Sequence, residues 1–318
     1  MMPKFSVDIA ATSANLGPGF DCMGLAINRY NRFTITPDEM FSINAKGPAA
    51  PAIPRTKDNL VVQGLELLLH HVGAVQTPRR WRIDIQADIP AGSGLGSSAS
   101  AIAGGMLLGN EMVGYYEPRR QMSRWEVVQL ATAMEGHPDN VTPALLGGAW
   151  LSVYEEHKLQ SFALSLPENL VFAVGTPQIH VSTDESRKAL SALVPRHDAI
   201  YNTAQAARLV LALERRDLSL LRDAFGDKIH EPYRTPSLPY YKEVVAAVLD
   251  AGAITVTLSG SGPTLLVWCD SSESAECAAE AMQQVWSEHS VAAVCNTALP
   301  DRTEPAVYRL DDSREADA

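Results

Sequence analysis

An α+β chain of two domains is the architecture the sequence predicts, on three observations. With 318 residues and 46% hydrophobic content, the chain can bury a large core, and its length favours two domains over one. Segments of period-two alternation are followed by segments of helical periodicity in both halves. The closing stretch reads as helix 240–251, strands 254–258 and 265–268, helix 274–289 and strand 291–299, an order that suits a compact α+β sandwich.

Taken in order, residues 5–45 alternate like strands around the turn Asn15-Leu16-Gly17-Pro18-Gly19. A helix over 58–73 carries Val61, Val62, Leu65, Leu68 and Leu69 on one stripe. Trp81, Ile83, Ile85, Ala87 and Ile89 alternate with Arg82, Asp84, Gln86 and Asp88, the signature of a strand with one buried face. After a glycine-rich turn comes an Ala-rich helix over 99–108, with Ser97 or Ser98 placed to cap its start. A helix over 123–135 and a strand over 147–154 close the first half near residue 156. Strand 170–175 and helices across 184–193, 202–215 and 217–226 lead into the closing elements. Residues 1–160 and 161–300 are thus assigned to two domains, and 301–318, with Asp311, Asp312, Arg314, Glu315 and Asp317, to a loose polar tail.

A net charge of −11 without any basic run argues against nucleic-acid or anionic-membrane binding. It leaves room for a nucleotide, whose charge can be met locally by helix dipoles, a divalent cation and a few arginines. Cys22, Cys269, Cys277 and Cys295 form no Cys-x-x-Cys pair, so neither a zinc site nor a disulfide framework is indicated and a reducing cytoplasm is expected. The start Met1-Met2-Pro3-Lys4-Phe5-Ser6 lacks an apolar leader region, and no run approaches the length of a membrane span.

Four loop segments carry chemistry. In Pro90-Ala91-Gly92-Ser93-Gly94-Leu95-Gly96-Ser97-Ser98-Ala99-Ser100, three glycines let the backbone approach an anion, and the helix that follows turns its unpaired N–H groups toward it. No lysine follows, as a P-loop would need, so amides, hydroxyls and a metal must do the work. In Thr12-Ser13-Ala14-Asn15-Leu16-Gly17-Pro18-Gly19-Phe20-Asp21 an amide and a carboxylate flank a tight turn, although a simple β-turn explains the same residues. Glu135-Gly136-His137-Pro138-Asp139-Asn140-Val141 crowds two carboxylates, a histidine and an amide; a helix end with a proline stop accounts for Gly136 and Pro138 but not for the others. Leu258-Ser259-Gly260-Ser261-Gly262-Pro263-Thr264 is a second glycine turn, also readable as a hairpin loop.

Together these segments resemble the GHMP kinase superfamily of galactokinase, homoserine, mevalonate and phosphomevalonate kinases, over nearly the whole chain from Thr12 to about Thr297. Pro90–Ser100 matches its ATP-phosphate motif, and Ser259 to Thr264 resembles its C-terminal glycine motif, with Ser261 where alanine is common. Ser13 to Asp21 and Glu135 to Gly148 are most similar to the homoserine kinase family. The resemblance implies an N-terminal domain with a left-handed βαβ crossover, an exception to the usual hand, and a C-terminal ferredoxin-like domain. It also implies transfer of the ATP γ-phosphoryl to the side-chain hydroxyl of L-homoserine, giving O-phospho-L-homoserine for threonine biosynthesis, and a homodimer.

The same resemblance distributes the roles. Residues 90–100 together with Ser259, Gly260, Ser261 and Gly262 would hold ATP, while Ser98 and Glu135 would ligate Mg2+. Asp21 would meet the ammonium of the zwitterionic acceptor, and Arg187 and Arg234 its carboxylate. Asn15 and Asn140 would hold the reacting hydroxyl, with Thr183 and His137 nearby. Asp139 falls where other members place a base, whereas homoserine kinases are described as lacking an effective one. A kinase for mevalonate or a sugar, or a silent ligand-binding protein on this fold, are the competing readings.

Overall fold

The computed structural model describes residues 3–179 and 183–310, with residues 183–185 described through their backbone alone. The first body contains β1 (Lys4–Ala14), β2 (Met23–Pro37), β3 (Ser42–Lys46), α1 (Leu60–His71), β4 (Trp81–Gln86), α2 (Ser97–Tyr116), α3 (Arg124–Glu135), α4 (Pro138–Leu146), β5 (Ala149–Glu155) and β6 (Lys158–Leu164). The second contains β7 (Val171–Pro177), α5 (Thr183–Lys188), α6 (Arg196–Arg215), α7 (Leu218–Leu221), α8 (Glu231–Arg234), α9 (Tyr241–Asp250), β8 (Thr255–Leu258), β9 (Leu265–Cys269), α10 (Ser272–Glu288) and β10 (Ala293–Ala298). The chain then returns to the first body as β11 (Tyr308–Leu310). No helix among the described residues is long and apolar enough to cross a membrane.

The first sheet runs β11-β1-β2-β4-β3, with β5 and β6 continuing from the other end of β2. Its parallel ladder joins β3 and β4, with α1 between them in sequence. The alternation in β4 is realised: Trp81, Ile83 and Ile85 are buried, packed under the helices. Asn59 caps α1 by accepting the Val61 N–H at 2.9 Å, and the stripe Val61, Val62, Leu65, Leu68 and Leu69 is fully buried, at about 2 kcal/mol per side chain. β1 and β2 slip register between Ala10, opposite Tyr30, and Ala11, opposite Ile27. The two intervening residues bulge out: Asn28 exchanges hydrogen bonds with Leu299, and Arg29 faces a cleft between the sheets.

The second sheet runs β10-β7-β9-β8, antiparallel throughout, and the order strand, helix, two strands, helix, strand makes it ferredoxin-like. Its two faces bury separate cores. Val244, Val248, Met282 and Trp286 of α9 and α10 cover one. On the other, Phe172 and Trp268 stack edge to face with centroids 5.0 Å apart, Phe225 closes against Trp268 at 4.6 Å, and Leu25 and Ile27 of the first sheet complete a core shared by both bodies.

Several sequence expectations need correction. Pro138 does not stop a helix but starts α4, since a proline at the first helical position loses no hydrogen bond there; Gly136, at φ 91°, does end α3 as expected. Strand β6 carries the first sheet to Leu164, past the division placed at 160. The helix expected over 217–226 shrinks to the single turn of α7. Residues 301–310 are not a loose tail: β11 pairs with β1, Arg124 bonds Glu304 at 2.6 Å, and the Asp301 N–H bonds the Ala26 carbonyl at 2.9 Å. Polar composition there reflects an edge strand and its ion pairs. The remainder of that segment, 311–318, lies outside the described residues.

Helices α1 and α2 cross closely enough that a Cβ on Gly105 would stand 2.0 Å from the Val61 carbonyl oxygen, a backbone atom that cannot yield without moving α1. Gly105→Ala should therefore destabilise the protein by about 2 kcal/mol or more despite the better helix propensity of alanine. A thermal melt unchanged from the parent would contradict that packing.

Candidate active site

The turn after β4 is held from behind. Asn31 Oδ1 accepts the N–H groups of Asp88 and Ile89 at 2.8 and 3.0 Å, and Ser93 Oγ donates to the Pro90 carbonyl at 2.7 Å. Gly92, Gly94 and Gly96 take φ of 67°, 83° and 67°, a region open to glycine. A Cβ on Gly94 would fall 2.2 Å from the Ser259 carbonyl oxygen, and one on Gly96 would fall 1.9 Å from Thr12 Oγ1. Gly94 and Gly96 are therefore required by close approach, to backbone and to the Thr12 side chain respectively, as well as by φ.

The expectation that Ser97 or Ser98 caps α2 is corrected. Gly96 occupies the N-cap in a left-handed conformation with no side-chain cap, and both serines are already helical. Ser97 Oγ donates back to the Ile89 carbonyl at 3.4 Å. The result strengthens the anion reading, because the first-turn amides of a 20-residue helix remain uncapped and open to the cleft.

That cleft, of about 610 Å³, is lined by Gly92, Ser93, Gly94, Gly96, Ser97 and Ser98 on one side. Asn15, Asp21, Glu135, His137, Asp139, Asn140, Arg187 and Arg234 form the other, with Gly260 and Ser261 at its edge. Nearly all of the predicted residues thus converge. Leu95, Ala99, Ser100, Ser259 and Gly262 do not: all five are buried, with Ser100 Oγ toward Asn31 and Ser259 Oγ donating to the Gly94 carbonyl, and they act as backing for the turn. The side chain of Thr183 lies outside the described residues. Pro90 and Ala91 line a second, larger cleft of about 1140 Å³, which shares Gly92 and Ser93 with the first and is walled by Arg29, Pro48, Gln178 and Ile179.

Asp21 and Arg187 form a bidentate pair at 2.8 and 2.9 Å. Phe20 lies beneath both arginines, its centroid 5.8 Å from the Arg187 guanidinium carbon and 5.3 Å from that of Arg234. Arg234 is almost fully buried and donates through Nη1 to the Gly260 carbonyl at 3.0 Å, which leaves Nη2 without a hydrogen-bond partner among the described residues. Burial, and then the neighbouring charge of Arg187, lower the Arg234 pKa. Glu231, one turn earlier, accepts the Leu258 N–H at 2.8 Å, and burial pushes its carboxyl up to about 8.

Asn15, at φ 73°, spends its amide on structure, donating to the Gly260 carbonyl at 2.9 Å and accepting the Asp21 N–H at 3.0 Å. Asn140 accepts from Thr12 Oγ1 at 2.7 Å, leaving its Nδ2 for a ligand. His137 Nδ1 and Asp139 Oδ1 are 2.5 Å apart. Burial alone would lower the His137 pKa, but the hydrogen bond and charge of Asp139, with Glu135 and Asp21 beyond, raise it. Burial raises the pKa of Glu135.

Two groups of side chains could hold a metal. Asp21, His137 and Asp139 bring ligand atoms within 4.8 Å of one another, but those atoms are already engaged with Arg187 and with each other. Ser98 Oγ and the Glu135 carboxylate line the phosphate cleft with no hydrogen-bond partner among the described residues, the hard donors that Mg2+ prefers.

Sequence reasoning missed Thr12 as the support of Asn140, His230 behind Arg234, and the walls of the larger cleft. Those walls come from the β2 bulge, the loop after β3 and the end of β7, which only the fold brings together.

Comparison with known proteins agrees with this geometry. The family model "GHMP kinases N terminal domain" matches residues 59–148, and "GHMP kinases C terminal" matches 209–288. Homoserine kinase from Synechocystis sp. is 40% identical over 85% of this chain and 87% of its own, and that from Nostoc punctiforme 39% identical over 92% and 94%. The crystal structure of homoserine kinase from Cytophaga hutchinsonii superposes with a TM-score of 0.85 at 27% identity, covering 96% of this chain and 97% of that one. The chain belongs to the homoserine kinase family of the GHMP kinases.

Proposed function

We propose that this protein is an ATP-dependent homoserine kinase, forming O-phospho-L-homoserine, with the 610 Å³ cleft as its transfer site. One observation carries the reading: the uncapped start of α2 faces, across a single cleft, an acid and two arginines spaced to take a zwitterion. Mevalonate has no ammonium for Asp21, and a sugar has no carboxylate for Arg187 and Arg234.

The amides between Gly92 and Ser98 would cradle the triphosphate, and the adjoining larger cleft has the size and the largely apolar walls for the nucleoside. Ser98 and Glu135 would hold Mg2+, which when bound neutralises phosphate charge; pairing with a cation also removes the cost of burying the Glu135 carboxylate. The acceptor would exchange partners with the protein: its ammonium replaces Arg187 on Asp21, and its carboxylate takes Arg187 and the open Nη2 of Arg234. Neither protein charge is stranded before or after that exchange. Asn140 Nδ2 would then direct the hydroxyl oxygen toward the γ-phosphorus, with Asn15 fixing the turn that presents Asp21.

As the new P–O bond forms, the bond to the β–γ bridging oxygen breaks and ADP leaves with its electron pair. The transition state is loose, so the hydroxyl proton need not depart early; it passes to an oxygen of the transferred phosphoryl group, and from there to water, once the new P–O bond has formed. Asp139 Oδ1 is already engaged by His137 Nδ1 at 2.5 Å, so its role is to orient His137 beside the acceptor rather than to take the hydroxyl proton.

Coupled measurement of ADP release should show turnover with L-homoserine and little with mevalonate or galactose; absence of turnover with homoserine overturns the reading. Asp21→Asn should raise the homoserine KM by about 30-fold or more while the ATP KM stays within about twofold, since a buried acceptor charge loses its partner. Asp139→Asn should lower kcat by no more than about tenfold; a loss of 100-fold or greater would restore it as a general base.

A further inference from the structure

Behind the arginine clamp lies a histidine that packing alone does not explain. His230 immediately precedes α8 and is fully buried. Its Nε2 is 2.8 Å from the Gly17 carbonyl oxygen, and its Nδ1 is 3.4 Å from Arg234 Nη1. A carbonyl only accepts and a guanidinium only donates. The ring satisfies both neighbours in one form: neutral, protonated on Nε2, with a lone pair on Nδ1 aimed at Arg234. A proton on Nδ1 would set N–H against N–H beside a fixed positive charge.

The surroundings hold that form in place. The ring stacks on Phe20 with centroids 5.2 Å apart and planes at 26°, so one aromatic side chain braces His230 and both arginines. Asp227 Oδ2 stands 3.8 Å from Nε2, yet it already accepts the N–H groups of His230 and Glu231, while Oδ1 takes that of Ile229. The charged groups facing the ring are Asp227, Asp21 and Arg234. Burial lowers the His230 pKa against the opposing pull of Asp227, the Gly17 bond and Asp21, and Arg234 lowers it further. His230 also joins two parts of the site distant in sequence: Gly17 belongs to the turn that carries Asn15 and Asp21, and Arg234 to the carboxylate clamp.

Resting on the acceptor assignment above, we infer that His230 is a positioning residue for the zwitterion: its Nδ1 lone pair aims Arg234 into the cleft while its Nε2–H anchors the turn bearing Asp21. It touches neither substrate. Its effect is to set the spacing between the group that meets the ammonium and one that meets the carboxylate.

His230→Gln keeps an N–H within reach of Gly17 and removes the lone pair facing Arg234. The homoserine KM should rise about tenfold with the ATP KM within twofold, and combining it with Arg234→Lys should add nothing to the effect of Arg234→Lys alone. An unchanged homoserine KM, an equal rise in both KM values, or effects that multiply in the double variant would overturn the inference. Should the glutamine variant not fold, imidazole nitrogen shifts of the parent enzyme at pH 7 decide it: a neutral Nε2–H ring is expected, and an Nδ1–H tautomer or an imidazolium overturns it. A parent enzyme that binds ATP but releases no ADP with homoserine would instead defeat the acceptor assignment, a result separable from the tautomer of His230.

Discussion

Three turns from two sheets share one seam of hydrogen bonds, and the cleft exists because of it. The Thr12 N–H bonds the Leu95 carbonyl at 3.1 Å, the Thr264 N–H bonds the Ser93 carbonyl at 3.1 Å, and the Gly260 N–H bonds the Ala14 carbonyl at 3.2 Å. Ser259 Oγ adds a bond to the Gly94 carbonyl at 2.7 Å, and Asn15 Nδ2 one to that of Gly260. Backbone atoms of Ser259 and Gly262 leave no room for a Cβ at Gly94, so that glycine serves the joint between the bodies as much as any ligand. The seam satisfies buried backbone groups and holds the start of α2 open toward the cleft.

Electrostatics in the cleft follow a second rule, that charges are balanced within it. Asp21 neutralises Arg187, Asp139 bonds His137 and raises its pKa, and Phe20 offers its ring face to two guanidinium groups. A site organised in this way gains little from a ligand with a single charge, which must displace one partner and leave the other exposed to low dielectric. Only a ligand with both charges, set at the right separation, replaces what it displaces.

How much of this was legible beforehand depended on whether the signal was local. The turn at 90–100 advertised itself through its glycines, and the 135–141 cluster through residues that helix termination left unexplained. Ser97 and Ser98 read as caps because a serine before a helix usually is one, whereas the left-handed Gly96 starts the helix one residue earlier than a Ser97 cap would and two earlier than a Ser98 cap. Pro138 reads from sequence as a stop or as a start, since a proline punctuates a helix equally well at either end and only the path of the following residues tells which. β6 and β11 carry mixed polar residues on edge strands, whose pairing is decided by partners far off in sequence. Arg29 and Gln178 enter the larger cleft through a bulge and a strand end, features that leave no mark on residue type.

The return of β11 to the side of β1 bears on how the molecule is made. Lys4 pairs with Leu310, so the strand that completes one margin of the first sheet leaves the ribosome after the entire second body has been synthesised. Until then β1 presents unpaired peptide groups along that margin, a template for pairing with another nascent chain. The first sheet is therefore closed along this margin only by residues that follow the whole second body in the chain, and sequence order and spatial order part company at the molecule's own edge.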